Sequence, residues 1–148
     1  MAPRAAPLPR AGYTEFMSAD PSAVASAFVA AINSQDLHAL AALLHPEHRF
    51  VDAEGAVFAG REPMLHGWAA YFNWFPEYTI VVEHSLATEA HVALFGTATG
   101  SGVDNAFMQR SESWSVPAAW LAEVRDGQVY EWRVYCDVRP QLAALSGK

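Results

Sequence analysis

Residues 113–137 read SWSVPAAWLAEVRDGQVYEWRVYCD, and this stretch decides the fold. Asp126-Gly127 sits between two apolar runs, and both residue types tolerate the positive φ that a tight hairpin turn needs. Ahead of the turn, Trp114, Val116, Ala118, Trp120 and Ala122 share one side of an extended chain. Ser113, Ser115, Pro117, Ala119 and Leu121 share the other. A period of two makes the tryptophan side the inward face. Past the turn, Tyr130, Trp132, Val134 and Cys136 read as inward, against Glu131, Arg133, Tyr135 and Asp137. Pro117 has no N–H to give to a ladder, so it marks a bulge or an edge position.

Working outward, the spacing predicts strands at Tyr78 to Leu86, His91 to Gly100, Phe107 to Val124 and Gln128 to Asp137. Together they form an antiparallel meander. The front half is helical instead. Asp20 caps a helix with Pro21 at its first position, where a missing N–H costs nothing. Val24, Phe28, Ala31 and Ile32 then repeat at helical spacing. Asp36 caps a second helix carrying Leu37, Leu40 and Leu44 on one face, which Pro46 stops. Short strands follow at His48 to Asp52 and Ala56 to Phe58, joined by a turn at Glu54-Gly55. A third helix after Gly60 carries the stripe Leu65, Trp68 and Phe72. Helices first and a meander second predict an α+β fold, with the helices packed on one face of a curved sheet.

The 148-residue length suits a single domain, assigned to residues 19–148. Residues 1–18 are rich in Ala and Pro and lack an apolar signal core, so they read as a flexible arm, within which Met17 is an alternative start. A hydrophobic fraction of 52% excludes general disorder. Nine basic against sixteen acidic residues give a net charge of −7. Phosphate binding needs clustered Lys and Arg, so nucleic acid is not an expected partner. No apolar run approaches a membrane span of roughly 20 residues. Cys136 is the only cysteine, which forbids an intrachain disulfide and multi-cysteine metal sites and suits a cytoplasmic setting.

The inward residues define an apolar, aromatic pocket. Its expected lining is Phe28, Phe50, Trp68, Phe72, Trp114, Val116, Trp120, Trp132, Val134 and Cys136. The expected ligand is a small apolar molecule, with no cofactor and no metal. The outward face carries Pro117, Leu121 and Tyr135 beside Ser115 and Arg133, too apolar for a fully solvated sheet. That predicts a homodimer through the convex face.

Two further stretches carry a family likeness. Residues 28–64, FVAAINSQDLHALAALLHPEHRFVDAEGAVFAGREPM, and residues 126–137, DGQVYEWRVYCD, resemble the SnoaL-like branch of the nuclear transport factor 2-like superfamily. The likeness extends from Asp20 to Asp137. The resemblance implies a cone, in which a curved antiparallel sheet wraps on the N-terminal helices around a deep, apolar internal pocket, and it implies a homodimer. It leaves the reaction open, because this fold hosts isomerases, cyclases, epoxide hydrolases, dehydratases and silent modules.

Comparison with two enzyme types of that fold narrows the chemistry. Limonene-epoxide hydrolases use an Asp–Arg–Asp set, and the matching positions here are Ala98, Gly96 and Val134. Their water-holding Tyr and Asn match Phe50 and Asp52. Ketosteroid isomerases use an Asp base with a Tyr and a protonated Asp as oxyanion donors. The base matches Asp52, while the donors match Phe28 and Trp120. Asp52 is therefore the candidate catalytic residue, as a general base in an apolar pocket. Alternatively it closes the turn at Glu54-Gly55, or accepts a hydrogen bond from a ligand. An enzyme of isomerase, cyclase or dehydratase type, a silent ligand-binding protein and a dimeric interaction module all remain open.

Other polar residues have local explanations. His45, His48 and Asp52 have loose metal-like spacing, but nothing directs them to one point. His66 lies one residue off the apolar helical stripe, which puts it at a rim. Tyr71 and Tyr130 are core aromatics that also carry a donor. Cys136 has no base on its face and reads as a small hydrophobe.

Overall fold

The computed structural model describes residues 20–104 and 109–145, with the side chains of 102–112 left aside. The N-terminal arm assigned to residues 1–18 lies outside the described residues, as do the first two residues of the strand expected at Phe107. The elements in chain order are α1 (Pro21–Asn33), α2 (Leu37–Leu43), β1 (Leu44–Val51), β2 (Val57–Ala59) and α3 (Arg61–Trp74). They continue as β3 (Thr79–Ala87), β4 (His91–Asp104), β5 (Gln109–Arg125), β6 (Gln128–Cys136) and α4 (Arg139–Leu145).

Caps set the helix starts as expected. The Asp20 carboxylate accepts from Ser22 N at 3.3 Å, with Pro21 opening α1. The Asp36 carboxylate accepts from Ala39 N at 3.0 Å and opens α2. Each satisfies one N–H that the helix cannot. Asn33 then staples the end of α1 to an edge strand. Its side chain accepts from Ile80 N at 2.8 Å and donates to Ile80 O at 2.9 Å.

The six strands form one sheet in the order β2-β1-β6-β5-β4-β3. The meander from β3 to β6 is antiparallel throughout. The β1–β6 pair is parallel, the one departure from the antiparallel sheet read from the sequence among the described strands. Pro46 also lies inside β1 instead of ending α2. It falls where β1 and β6 slip register between Leu44 and Arg49, and β2 pairs only from Arg49 onward. A missing N–H is therefore tolerated there. Pro117 obeys the same logic. It pairs with Thr97 of β4, but the β5–β6 ladder ends at Ala118 and Cys136, so its other side is a local edge.

The face assignment holds along β5, where Trp114, Val116, Ala118, Trp120, Ala122 and Val124 are all buried. In β6 it is broken by one bulge. Glu123 faces Glu131 but Val124 faces Val129, so Tyr130 is a residue in excess. Val129 turns into the core in its place, fully buried. Tyr130, read as inward, instead lies under Arg125, whose guanidinium carbon is 3.6 Å from the ring centroid, and edge-on to His45.

The core lies between the helices and the concave face. Phe28 of α1 is fully buried, with its ring 4.8 Å from that of Trp132. Gly100 lies under its cross-strand partner Trp114, where a Cβ would be 2.8 Å from the indole ring. At the far end, Asp137 accepts from Arg139 N at 3.0 Å and starts α4, which packs over β4 and β5.

Candidate functional site

A cavity of about 410 Å³ opens between α3, the concave sheet and α4. The sequence builds its walls by periodicity. β5 and β6 present Ala118, Trp120, Trp132, Val134 and Cys136 from alternate positions. Trp120 and Trp132 stand side by side on this face, stacked with centroids 6.5 Å apart. From α3 come Met64, Gly67, Trp68, Tyr71 and Trp74, spaced by three or four residues as one helical face requires. β1 and β2 supply Phe50 and Phe58, and α4 with its preceding residue closes the space with Val138 and Gln141.

Six of the ten residues expected to line the pocket do so: Phe50, Trp68, Trp120, Trp132, Val134 and Cys136. The other four, Phe28, Phe72, Trp114 and Val116, are buried in the core behind the wall. Phe72 packs on Trp68 at 5.5 Å, and Trp114 packs on Phe75 at 5.4 Å. Phe28 lies behind Trp132 and Trp68. Tyr78, Trp74, Phe58 and Gln141 were not foreseen as lining residues. Tyr78 and Trp74 follow from the helical spacing of α3 and the turn after it, whereas Gln141 depends on α4.

Asp52 stands at the wall and also closes the turn. Its Oδ1 accepts from Glu54 N and Ala56 N, each at 2.9 Å. Among the described residues nothing donates to Oδ2. No lysine, arginine or histidine among the described residues lines the cavity. The nearby cations are committed elsewhere: Arg61 donates to Leu44 O at 2.9 Å, and Arg139 pairs with Asp137 at 2.6 Å.

The remaining polar groups stay neutral. Burial pushes the Tyr71 and Tyr78 hydroxyls and the Cys136 thiol upward from their ordinary values. The Tyr71 hydroxyl donates to Gln141 Oε1 at 2.9 Å, tying α3 to α4. The Trp68 and Trp120 indole N–H groups are buried and meet no acceptor of hydrogen-bonding geometry, although the Tyr78 hydroxyl is close enough to feel that of Trp120.

Apart from Asp52, the positions matched to known catalytic groups carry no ionisable side chain. Ala98 and Val134 line the cavity without an ionisable atom. At Gly96 a Cβ would collide with the Val81 carbonyl oxygen, so no arginine fits there. Phe28 is in the core and out of reach of the cavity. His45, His48 and Asp52 diverge. His45 Nδ1 accepts from Glu47 N, and His48 Nδ1 donates to Val129 O at 2.8 Å from a fully buried ring.

A curved sheet wrapped around helices, enclosing an apolar cavity at its concave face, is the nuclear transport factor 2-like and ketosteroid isomerase-like arrangement. The signature of the SnoaL-like domain family spans residues 25–132, and the chain belongs to that family. A candidate SnoaL-like polyketide cyclase from Shewanella denitrificans superposes with a TM-score of 0.73 at 14% identity, over 86% of this chain and 98% of that one. IdmH from Streptomyces antibioticus, a candidate polyketide cyclase, gives 0.70 at 25% identity over 86% and 99%. A protein of ketosteroid isomerase-like fold from Catenulispora acidiphila, in complex with trimethylamine, gives 0.68 at 21% identity over 84% and 93%. No curated protein matches the chain.

Proposed function

We propose that the chain binds a small, mainly hydrophobic molecule in the cavity, with Asp52 as the one charged group of the described lining that meets it. The carrying observation is the 410 Å³ space walled by aromatic rings, within the roughly 300–1,000 Å³ range of ligand pockets. An incidental packing void of this size would be exceptional, because interiors are close-packed. Native mass spectrometry of the freshly purified protein tests this, with a bound small molecule of discrete mass as the expected result. A cavity that takes up no apolar compound would end the reading.

A catalytic reading of isomerase, cyclase or dehydratase type draws on the family and on one feature of Asp52. Two backbone N–H groups fix its Oδ1 and leave Oδ2 to accept a proton. Binding is preferred because an enolate needs donors aimed at its oxygen. The Tyr71 hydroxyl is spent on Gln141, and the Trp68 and Trp120 N–H groups lie beneath the wall surface. The assembly proposed is a homodimer through the convex face. Rows across that face run Leu86–Ala93–Leu121–Arg133 and His84–Phe95–Ala119–Tyr135. Leu86, Phe95 and Tyr135 stand exposed within them.

A further inference from the structure

We propose that the ligand is a lipophilic cation, an alkylated amine or quaternary ammonium head carried on an apolar body. This rests on the binding reading above and names the class of molecule bound. The argument starts from the unequal distribution of charge and rings. A continuous aromatic chain runs Phe58–Phe50–Trp68–Tyr71–Trp74, with successive centroids 6.2, 6.3, 6.0 and 6.5 Å apart. Its two ends, Phe58 and Trp74, are 49% and 47% exposed while lining the cavity, so they form the mouth. Asp52 stands in the same lining, its Oδ1 held by the turn and its Oδ2 without a donor. Among the described residues, the lining contains no positive side chain.

Three ligand classes fare differently there. An anion meets a carboxylate and no countercharge. A neutral apolar body that fills the mouth strips water from Asp52 and returns nothing, and removing water from an unpaired charge is costly. A cation pairs with that carboxylate and is also attracted to the negative faces of the surrounding rings. An alkylated ammonium has few or no N–H groups to satisfy, which suits walls whose polar atoms are already paired or buried. The head belongs at the mouth and the apolar body beside Trp120 and Trp132.

The test uses matched probes titrated calorimetrically into the full chain at low salt. Benzyl, naphthylmethyl and 4-phenylbutyl bodies each carry a trimethylammonium head, its neutral tert-butyl counterpart or a sulfonate. The expected result is that the best ammonium probe binds about tenfold or more tightly than its tert-butyl counterpart, with the sulfonate weakest. Asp52→Asn keeps an oxygen for the turn and should erase most of that preference, weakening ammonium binding and leaving tert-butyl binding as tight or tighter. Phe58→Leu, at the exposed rim, should weaken ammonium binding severalfold and tert-butyl binding less. Equal or tighter binding of the neutral probe overturns the cation and leaves the binding function standing. Ammonium binding that ignores Asp52→Asn also overturns it. If no probe of any charge binds, the binding function falls with it.

Discussion

Replacing Asp52 separates two uses of one carboxylate. Asp52→Ala removes both hydrogen bonds of the turn and should lower stability by about 1–2 kcal/mol. Asp52→Asn should keep the melting temperature and abolish any turnover, which a paired comparison of melting and activity reads directly. His48 offers a second measurement. Its ring is fully buried, and desolvation by burial lowers its pKa to about 4 from the ordinary 6.5. The unfolded chain takes up a proton between those values and the folded chain does not. The contribution of His48 is therefore complete above pH 6.5 and drains away as pH falls toward 4, on the order of 3 kcal/mol in all. Urea midpoints across that interval should fall more steeply for the wild type than for His48→Gln, which keeps a donor for Val129 O. At this scale the sequence reveals parity but not depth. Alternation places Trp114 and Val116 inward as surely as Trp120, yet cannot tell a wall residue from a core residue behind it. Asp52 was legible because a carboxylate before Glu54-Gly55 has a local use that needs no tertiary information.

The elements least visible from sequence are those defined by distant contacts. Hairpin pairing is announced by Asp126-Gly127, but no local signal marks the parallel β1–β6 pair, which joins strands separated by most of the domain. The slip at Tyr130 is equally silent, since one surplus residue leaves no trace in composition. α4 does carry a local signal, since Asp137, Arg139 and Pro140 form a helix-opening pattern, but the whole helix is only seven residues long. This short helix depends on tertiary ties. Tyr71→Phe removes the bond to Gln141 while keeping the ring, and should cost about 1 kcal/mol. The informative measurement is hydrogen exchange. Amides of α4 should exchange several times faster in the variant, with those of β5 unchanged, and a uniform change across the chain would contradict a local tie. Asn33 plays the matching part at the other end. Asn33→Leu leaves both polar groups of Ile80 without their partner and should lower stability by about 2–3 kcal/mol in chemical denaturation.

For the whole molecule, the apolar convex face and the apolar cavity lie on opposite sides of one sheet, so assembly and binding are separable by mutation. Phe95→Asp places a charge in the centre of the cross-strand row without touching the cavity lining. It should convert the dimer to a monomer in analytical ultracentrifugation and leave ligand affinity within about twofold; a wild-type monomer at high micromolar concentration would end the dimer proposal.

The five tryptophans of the chain are unevenly placed: Trp68, Trp74, Trp120 and Trp132 line the cavity, and Trp114 alone does not. Trp120 and Trp132 are held with their ring planes nearly parallel, at 25° and 6.5 Å. Two indoles at that separation share their electronic excitation, so the fold carries a built-in optical readout. The pair should give a signed couplet in ultraviolet circular dichroism, and any occupant sliding against the rings should perturb it. Trp132→Phe should delete the couplet while keeping an aromatic ring in the wall, at the cost of a small added void. Occupancy can then be followed without a label, on the native chain, even before the natural ligand is identified.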